Sequence, residues 1–135
     1  MNETPLILLV EDDFMIRSLH QRVLEHHANG VPVRTATDGL EALAALRQRG
    51  NRPTLVLLDI NMPHMDGLAF LDAYLALPFA QRAHTQIIVL SGTLIPQERQ
   101  RVQALGIRFV PKPLHAKLAQ ELVGSLHLGR TIAAH

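Results

Sequence analysis

Five residues have the chemistry and the placement to act together: Glu11, Asp12, Asp59, Ser91 and Lys112. Each stands at or just past the end of a short run that can form a strand. Leu6–Val10 stops at Glu11-Asp12-Asp13, Leu55–Leu58 at Asp59, Ile87–Leu90 at Ser91-Gly92, and Arg108–Val110 at Pro111-Lys112-Pro113. If those ends meet, three carboxylates share one place. Like charges so crowded repel and raise a pKa. A hard divalent cation relieves them, and Mg²⁺ favours a few carboxylates together with waters and phosphate oxygens. Asp59 is then a candidate nucleophile toward a phosphoryl donor, because carboxylates can form aspartyl-phosphate intermediates. Lys112 supplies positive charge, and charge neutralisation is most of what phosphoryl transfer requires. The prolines on either side stiffen it. Ser91 can hydrogen-bond a phosphoryl oxygen. Asn61 can turn its backbone carbonyl toward the metal, and Gly67 can take a left-handed conformation or admit a close backbone approach.

Taken singly, these residues have plainer readings. Acids after a strand often cap a helix or face solvent, and Asp13 suits the cap. A serine before glycine makes a turn, and most lysines are on the surface. The joint placement of the set is what outweighs those readings.

The placement depends on the intervening elements. After the first strand, Ile16, Leu19, Val23 and Leu24 recur at helical spacing, and Asn29-Gly30 ends that helix. Val33–Ala36 reads as a strand. Leu40, Leu43, Ala44 and Leu46 mark a second helix closed by Gly50; Leu68, Phe70, Leu71, Tyr74 and Leu75 mark a third after Gly67. Pro96 suits an early helix position before Val102 and Leu105, and a last helix runs from about His115 to Leu126. The order is β-α five times. Strands apolar on both faces are those of a parallel sheet covered by helices on both sides. Right-handed crossovers give an α/β, doubly wound sheet, whose ligand site lies beyond the carboxyl ends of the strands. That rule gathers the five residues at one rim.

Bulk properties limit the alternatives. The 135 residues suit one domain, and 47% apolar content fills an ordinary core. A net charge of +1 points to no nucleic-acid partner. Without cysteine there is no disulfide, thiolate site or thiol nucleophile, which suits a reducing cytoplasm. No apolar run approaches the ~20 residues of a membrane helix, and the N-terminus has no signal-peptide pattern. The eight histidines are scattered, without metal-site spacing, and are expected to be mostly exposed.

Four blocks carry a family resemblance: Leu8-Leu9-Val10-Glu11-Asp12-Asp13, Leu57 through Gly67, Val89-Leu90-Ser91-Gly92 and Phe109-Val110-Pro111-Lys112-Pro113. Together they resemble the signature blocks of bacterial response-regulator receiver domains of the chemotaxis-regulator type, over roughly residues 5–127. The resemblance implies a flavodoxin-like (βα)5 fold with a five-stranded parallel sheet in the order 2-1-3-4-5. It implies a single receiver domain over 1–135 that takes a phosphoryl group from a histidine kinase onto Asp59 in a Mg²⁺-dependent reaction. Asp12 and Asp59 resemble direct metal ligands, with the carbonyl of Asn61, and Glu11 an acid acting through metal-bound water. Lys112 resembles the family's lysine and Ser91 its switch hydroxyl. Phe109 falls where a rotating aromatic reports the state, without the hydroxyl of the tyrosine common there.

Such a protein catalyses only its own phosphorylation and dephosphorylation. Its partners are a sensor histidine kinase or phosphotransfer protein, and a downstream protein target or second copy meeting the 96–127 face. No linker or DNA-binding segment is read after the last helix, so output is expected through protein contacts, whether the chain is whole or a fragment of a larger regulator. A haloacid-dehalogenase-type phosphatase would use similar residues, but with its nucleophile after the first strand in an Asp-x-Asp motif. A flavodoxin would need a phosphate cradle where Glu11-Asp12-Asp13 would repel one. A binding module that keeps only the fold is opposed by the complete acid set.

Overall fold

The computed structural model describes residues 4–50, 52–59, 67–92 and 96–127. Its elements run β1 (Leu6–Val10), α1 (Phe14–His27), β2 (Val33–Ala36), α2 (Gly39–Gln48), β3 (Thr54–Asp59), α3 (Gly67–Leu75), α4 (Phe79–Arg82), β4 (Thr85–Ser91), α5 (Pro96–Ala104), β5 (Arg108–Pro111) and α6 (Ala116–His127). The five strands are parallel and ordered β2-β1-β3-β4-β5. This is the expected flavodoxin-like sheet. One element is additional: α4 is a four-residue helix between α3 and β4, too short for any periodic pattern to announce.

Successive side chains on a strand point to opposite faces, so the apolar runs feed two cores. Leu8, Val10, Val56, Leu58 and Val89 pack with Ala42 and Leu46 of α2, Phe70 and Leu71 of α3, and Val102 of α5. Ile7, Leu9, Leu55, Leu57, Ile88, Leu90 and Val110 pack with Leu24 of α1 and Leu118, Leu122 and Val123 of α6. Thus α1 and α6 cover one face of the sheet, and α2, α3 and α5 the other.

Local signals set the helix ends. Asp13 caps α1, its Oδ1 accepting the Ile16 N–H at 3.0 Å. Asp38 caps α2 by accepting the Glu41 N–H, a free donor of the first turn, while the Glu41 carboxylate accepts the N–H of Thr37, the residue before the cap. After α1, Asn29 and Gly30 take φ of 51° and 90°, the left-handed turn that ends the helix. Gly67 opens α3 and is buried.

Leu57 lies in the α1/α6 core, fully buried on the central strand. Leu57→Ala is expected to destabilise the fold by about 2–5 kcal/mol, through lost burial and a residual cavity. Urea unfolding of the two proteins measures this, and a loss below about 1 kcal/mol would contradict the packing described.

Candidate functional site

Strand register brings the polar residues together. Val10 pairs with Leu58, Asp59 with Leu90, and Ser91 with Pro111. Glu11 therefore follows β1 beside the end of β3, and Lys112 follows β5 beside the end of β4. Lys112 reaches back across the rim: its Nζ lies 2.8 Å from Glu11 Oε1 and 3.2 Å from Asp59 Oδ2. Glu11 is 2% exposed and Asp59 4%, so both carboxylates are effectively inside the protein. Asp12 is exposed.

The turn between β1 and α1 sets the directions of the two acids. Glu11 Oε2 accepts the Asp13 N–H at 3.2 Å. Arg17, from the first turns of α1, donates to the carbonyls of Glu11 at 2.9 Å and Asp12 at 3.2 Å. Together with the Asp13 cap, these contacts fix the acidic turn to α1. Arg17 has no counterpart among the residues singled out in the sequence. Its partners are backbone carbonyls, which carry no side-chain signature.

Charge is scarce relative to its opposite. Burial raises the pKa of Glu11 to about 7; Lys112 opposes that rise and the nearby Asp59 adds to it. Burial also works against the charge on Lys112, but Glu11 and Asp59 outweigh it and its pKa is raised. Carboxylate oxygens of Glu11, Asp12 and Asp59 lie within 4.8 Å of one another. Three hard oxygen donors so close, two buried and one open to water, fit a divalent cation such as Mg²⁺.

Phe109 is half-buried on β5 and packs on the α2/α3/α5 side. The Arg99 guanidinium of α5 lies over its ring, 5.4 Å from the centroid, within cation–π range. Arg101 of α5 forms an ion pair with Asp72 of α3. Asn61, with its expected carbonyl ligand, lies outside the described residues, as does the Ser91 side chain; the Ser91 backbone closes β4. Among the described histidines, His26, His84 and His115 are exposed and His27 is half-buried. His20 departs from the expected exposure: it is wholly buried on α1, and its Nε2 accepts the Leu114 N–H at 3.1 Å. Its position on the inward face, four residues before Leu24, was the available signal.

Comparisons with known proteins identify the family. The model of the response regulator receiver domain matches residues 7–123. The chain is 34% identical over 122 residues to a protein-glutamate methylesterase/protein-glutamine glutaminase of Methanospirillum hungatei, covering 89% of this chain and 34% of that protein. A protein of the same description from Anaeromyxobacter dehalogenans is 36% identical over 101 residues, covering 75% of this chain and 26% of the relative. The chain thus spans about a third or less of the length of these curated relatives. Among solved structures, a response regulator receiver protein from Dyadobacter fermentans superposes with a TM-score of 0.78 at 27% identity, covering 91% of this chain and 98% of that one. The chemotaxis response regulator CheY4 of Vibrio cholerae does so at 0.72 and 27%, covering 93% and 99%. Agreement in family model, sheet order and overall superposition has one reading: the chain belongs to the response regulator receiver domains of two-component signalling.

Proposed function

We propose that Asp59 accepts a phosphoryl group from a phosphorylated histidine of a sensor kinase or phosphotransfer protein, and that the new charge switches contacts with other proteins. The observation that carries this reading is the buried Asp59 carboxylate with the Lys112 ammonium 3.2 Å from its Oδ2. A carboxylate oxygen of Asp59 attacks phosphorus, the P–N bond to the donor imidazole breaks with its electron pair going to nitrogen, and the donor ring, which carries a proton on its other nitrogen, leaves as neutral imidazole. Lys112 is already in place to offset charge on the group that arrives.

We assign Asp12 and Asp59, with the Asn61 carbonyl, as direct ligands of Mg²⁺, and Glu11 as an acid acting through water. Both Glu11 oxygens are already engaged, one by Lys112 and one by the Asp13 N–H, which supports the indirect role. When bound, Mg²⁺ supplies positive charge to the transferring phosphoryl group.

A phosphoryl group brings roughly −1.5 to −2 charges and three acceptor oxygens, by analogy with phosphorylated hydroxyl residues. We assign the Ser91 hydroxyl as the switch donor and Phe109 as the aromatic that responds. The face over residues 96–127 is then the surface offered to a downstream target or a second copy. Arg99 over Phe109 supports this, since it links α5 to β5. The named enzymatic activities of the curated relatives are not carried over, because the match covers only part of them; the chemistry proposed for this chain is its own phosphorylation and dephosphorylation. We take its setting to be the cytoplasm; no described helix is long and apolar enough to cross a membrane.

Incubation with acetyl phosphate and Mg²⁺ is expected to add one acid-stable but alkali-labile acyl phosphate at Asp59, read by intact mass. Asp59→Asn is expected to abolish it, and undiminished labelling of that variant would remove Asp59 from the reaction.

Asp12→Ala is expected to weaken Mg²⁺ binding about tenfold or more, as loss of a charged ligand should. Asp13→Ala is expected to leave binding nearly unchanged and to cost about 1 kcal/mol of stability through the lost helix cap. Titration of Mg²⁺ into both variants decides the assignment, and equal weakening would reverse it.

Glu11 makes stability depend on pH in a fixed direction. Its folded pKa of about 7 exceeds the ordinary 4.5, so the native state holds this proton more tightly than the unfolded chain. The stabilisation is complete below the unfolded pKa and is lost as pH rises through the folded one. Without metal, wild type is therefore expected to lose on the order of 1–3 kcal/mol more than Glu11→Gln between about pH 5 and about pH 8. Saturating Mg²⁺ is expected to shrink that difference. Urea midpoints at the two pH values measure it, and parallel profiles for wild type and variant would refute the assignment.

A further inference from the structure

His20 is a buried titratable side chain to which phosphoryl transfer assigns no task. It occupies the inward face of α1, four residues before Leu24, where an amphipathic helix ordinarily places an apolar side chain. Burying an imidazole is unfavourable unless its nitrogens are hydrogen-bonded. Here only one is. Nε2 accepts the Leu114 N–H at 3.1 Å, whereas Nδ1 is buried with no hydrogen-bond partner among the described residues. Because Nε2 accepts, the neutral ring carries its proton on Nδ1. Among the described residues it thus leaves a donor unsatisfied and makes one bond.

That bond joins two parts of the site. Leu114 is buried and stands two residues after Lys112, in the connection from β5 to α6. Lys112 extends from that connection to Glu11 and Asp59. On the other side, α1 is fixed to the acidic turn by the Asp13 cap and by Arg17 on the carbonyls of Glu11 and Asp12. His20 therefore ties the helix that holds the acids to the turn that carries the lysine, across 94 residues of sequence.

We infer that His20 is a positioning residue: by accepting the Leu114 N–H it holds the turn that sets the Lys112 ammonium against Asp59. The inference rests on the proposed role of Lys112 and Asp59 in phosphoryl transfer. Burial first, and then the charge of Lys112, lowers the pKa of His20 against an opposing effect of Asp59. The accepting lone pair therefore stays available at neutral pH. Small displacements of a positioned group weaken catalysis disproportionately, so the tie matters even though His20 touches no reacting atom.

The test compares wild type with His20→Leu, which keeps the bulk without the acceptor, and His20→Gln, whose side-chain carbonyl can replace Nε2. His20→Met stands in should the leucine variant not fold. Amide hydrogen exchange on the unphosphorylated proteins is read at Leu114, with Ile88 in the core as the reference. Initial labelling rates at saturating acetyl phosphate and Mg²⁺ are read in parallel. His20→Leu is expected to speed Leu114 exchange relative to Ile88, and to slow labelling, by about tenfold each, the scale of one buried hydrogen bond. His20→Gln is expected to restore both. Unchanged protection of Leu114 in His20→Leu would overturn the inference, as would wild-type labelling despite a loosened Leu114. A folded glutamine variant no better than leucine would overturn it too. Failure of wild type to accept any label would instead overturn the acceptor reading of Asp59, and exchange at Leu114 would still decide whether the tie exists.

Discussion

One ammonium group facing two buried carboxylates is the constraint on which the rim of this protein depends. Lys112 lies within 3.2 Å of oxygens from both Glu11 and Asp59. Removing charges from water is expensive, and the mutual attraction offsets that only when geometry is good and other hydrogen bonds complete the arrangement. The account does not close with these three groups. Asp12 adds a third carboxylate within 4.8 Å, and one lysine cannot balance three acids. Burial raises the pKa of Glu11, and the nearby charge of Asp59 adds to the rise. A divalent cation would supply the missing positive charge. The same imbalance of charge fits the acidic cluster to a divalent cation, and a bound cation would in turn favour an anionic group there.

The fold supplies this constraint through side-chain alternation. On β1, Ile7 and Leu9 face α1 and α6; on β3, Leu55 and Leu57 do; on β5, Val110 does. Continuing each alternation by two residues reaches Glu11, Asp59 and Lys112. All three are thus directed to the same side of the sheet by the pleat that buries the core. Parallel alignment then brings the strand ends level, so no long loop is needed to carry any of them. A slip of one residue in any strand would reverse its core packing as well as misplace its polar end, so packing energy protects the chemistry.

Much of this could be read from the chain before any coordinates. Buried parallel strands are nearly continuous apolar runs, and each run here ends abruptly in its functional residue, so strand ends and site residues came from one signal. Helix faces were less legible. Leu19, Leu40 and Ala44 fit the helical pattern but are exposed, while Ala42, Ala45 and His20 are buried. Alanine carries little burial signal, and a lone leucine on a helix is free to lie outside the core. The grip of Arg17 and the tie from His20 to Leu114 end on backbone atoms, and a sequence does not show where backbone atoms of distant segments meet. The close approach of Glu11 to Lys112 was hidden for a related reason: both were legible as rim residues, but their pairing depends on how far a lysine stem bends back over the ends of β4 and β3.

The position of Lys112 also bears on how a charge event would travel. It follows β5, an edge strand of four residues that pairs only with β4. An edge strand is held from one side, and short segments with few buried contacts yield at low free energy. Asp59, by contrast, ends a wholly buried strand paired on both sides. If a new anion at Asp59 pulls on Lys112, the compliant partner is β5 and not β3. The strand alternation then carries the displacement through the sheet: Lys112 continues the row of Val110 on the α1/α6 side, whereas Phe109 packs on the opposite side, beneath Arg99 of α5. A shift of this one strand moves both rows at once. Under the proposed phosphorylation, chemistry on one face of the sheet would then have a direct route to the other face, where α5 lies against the moving row.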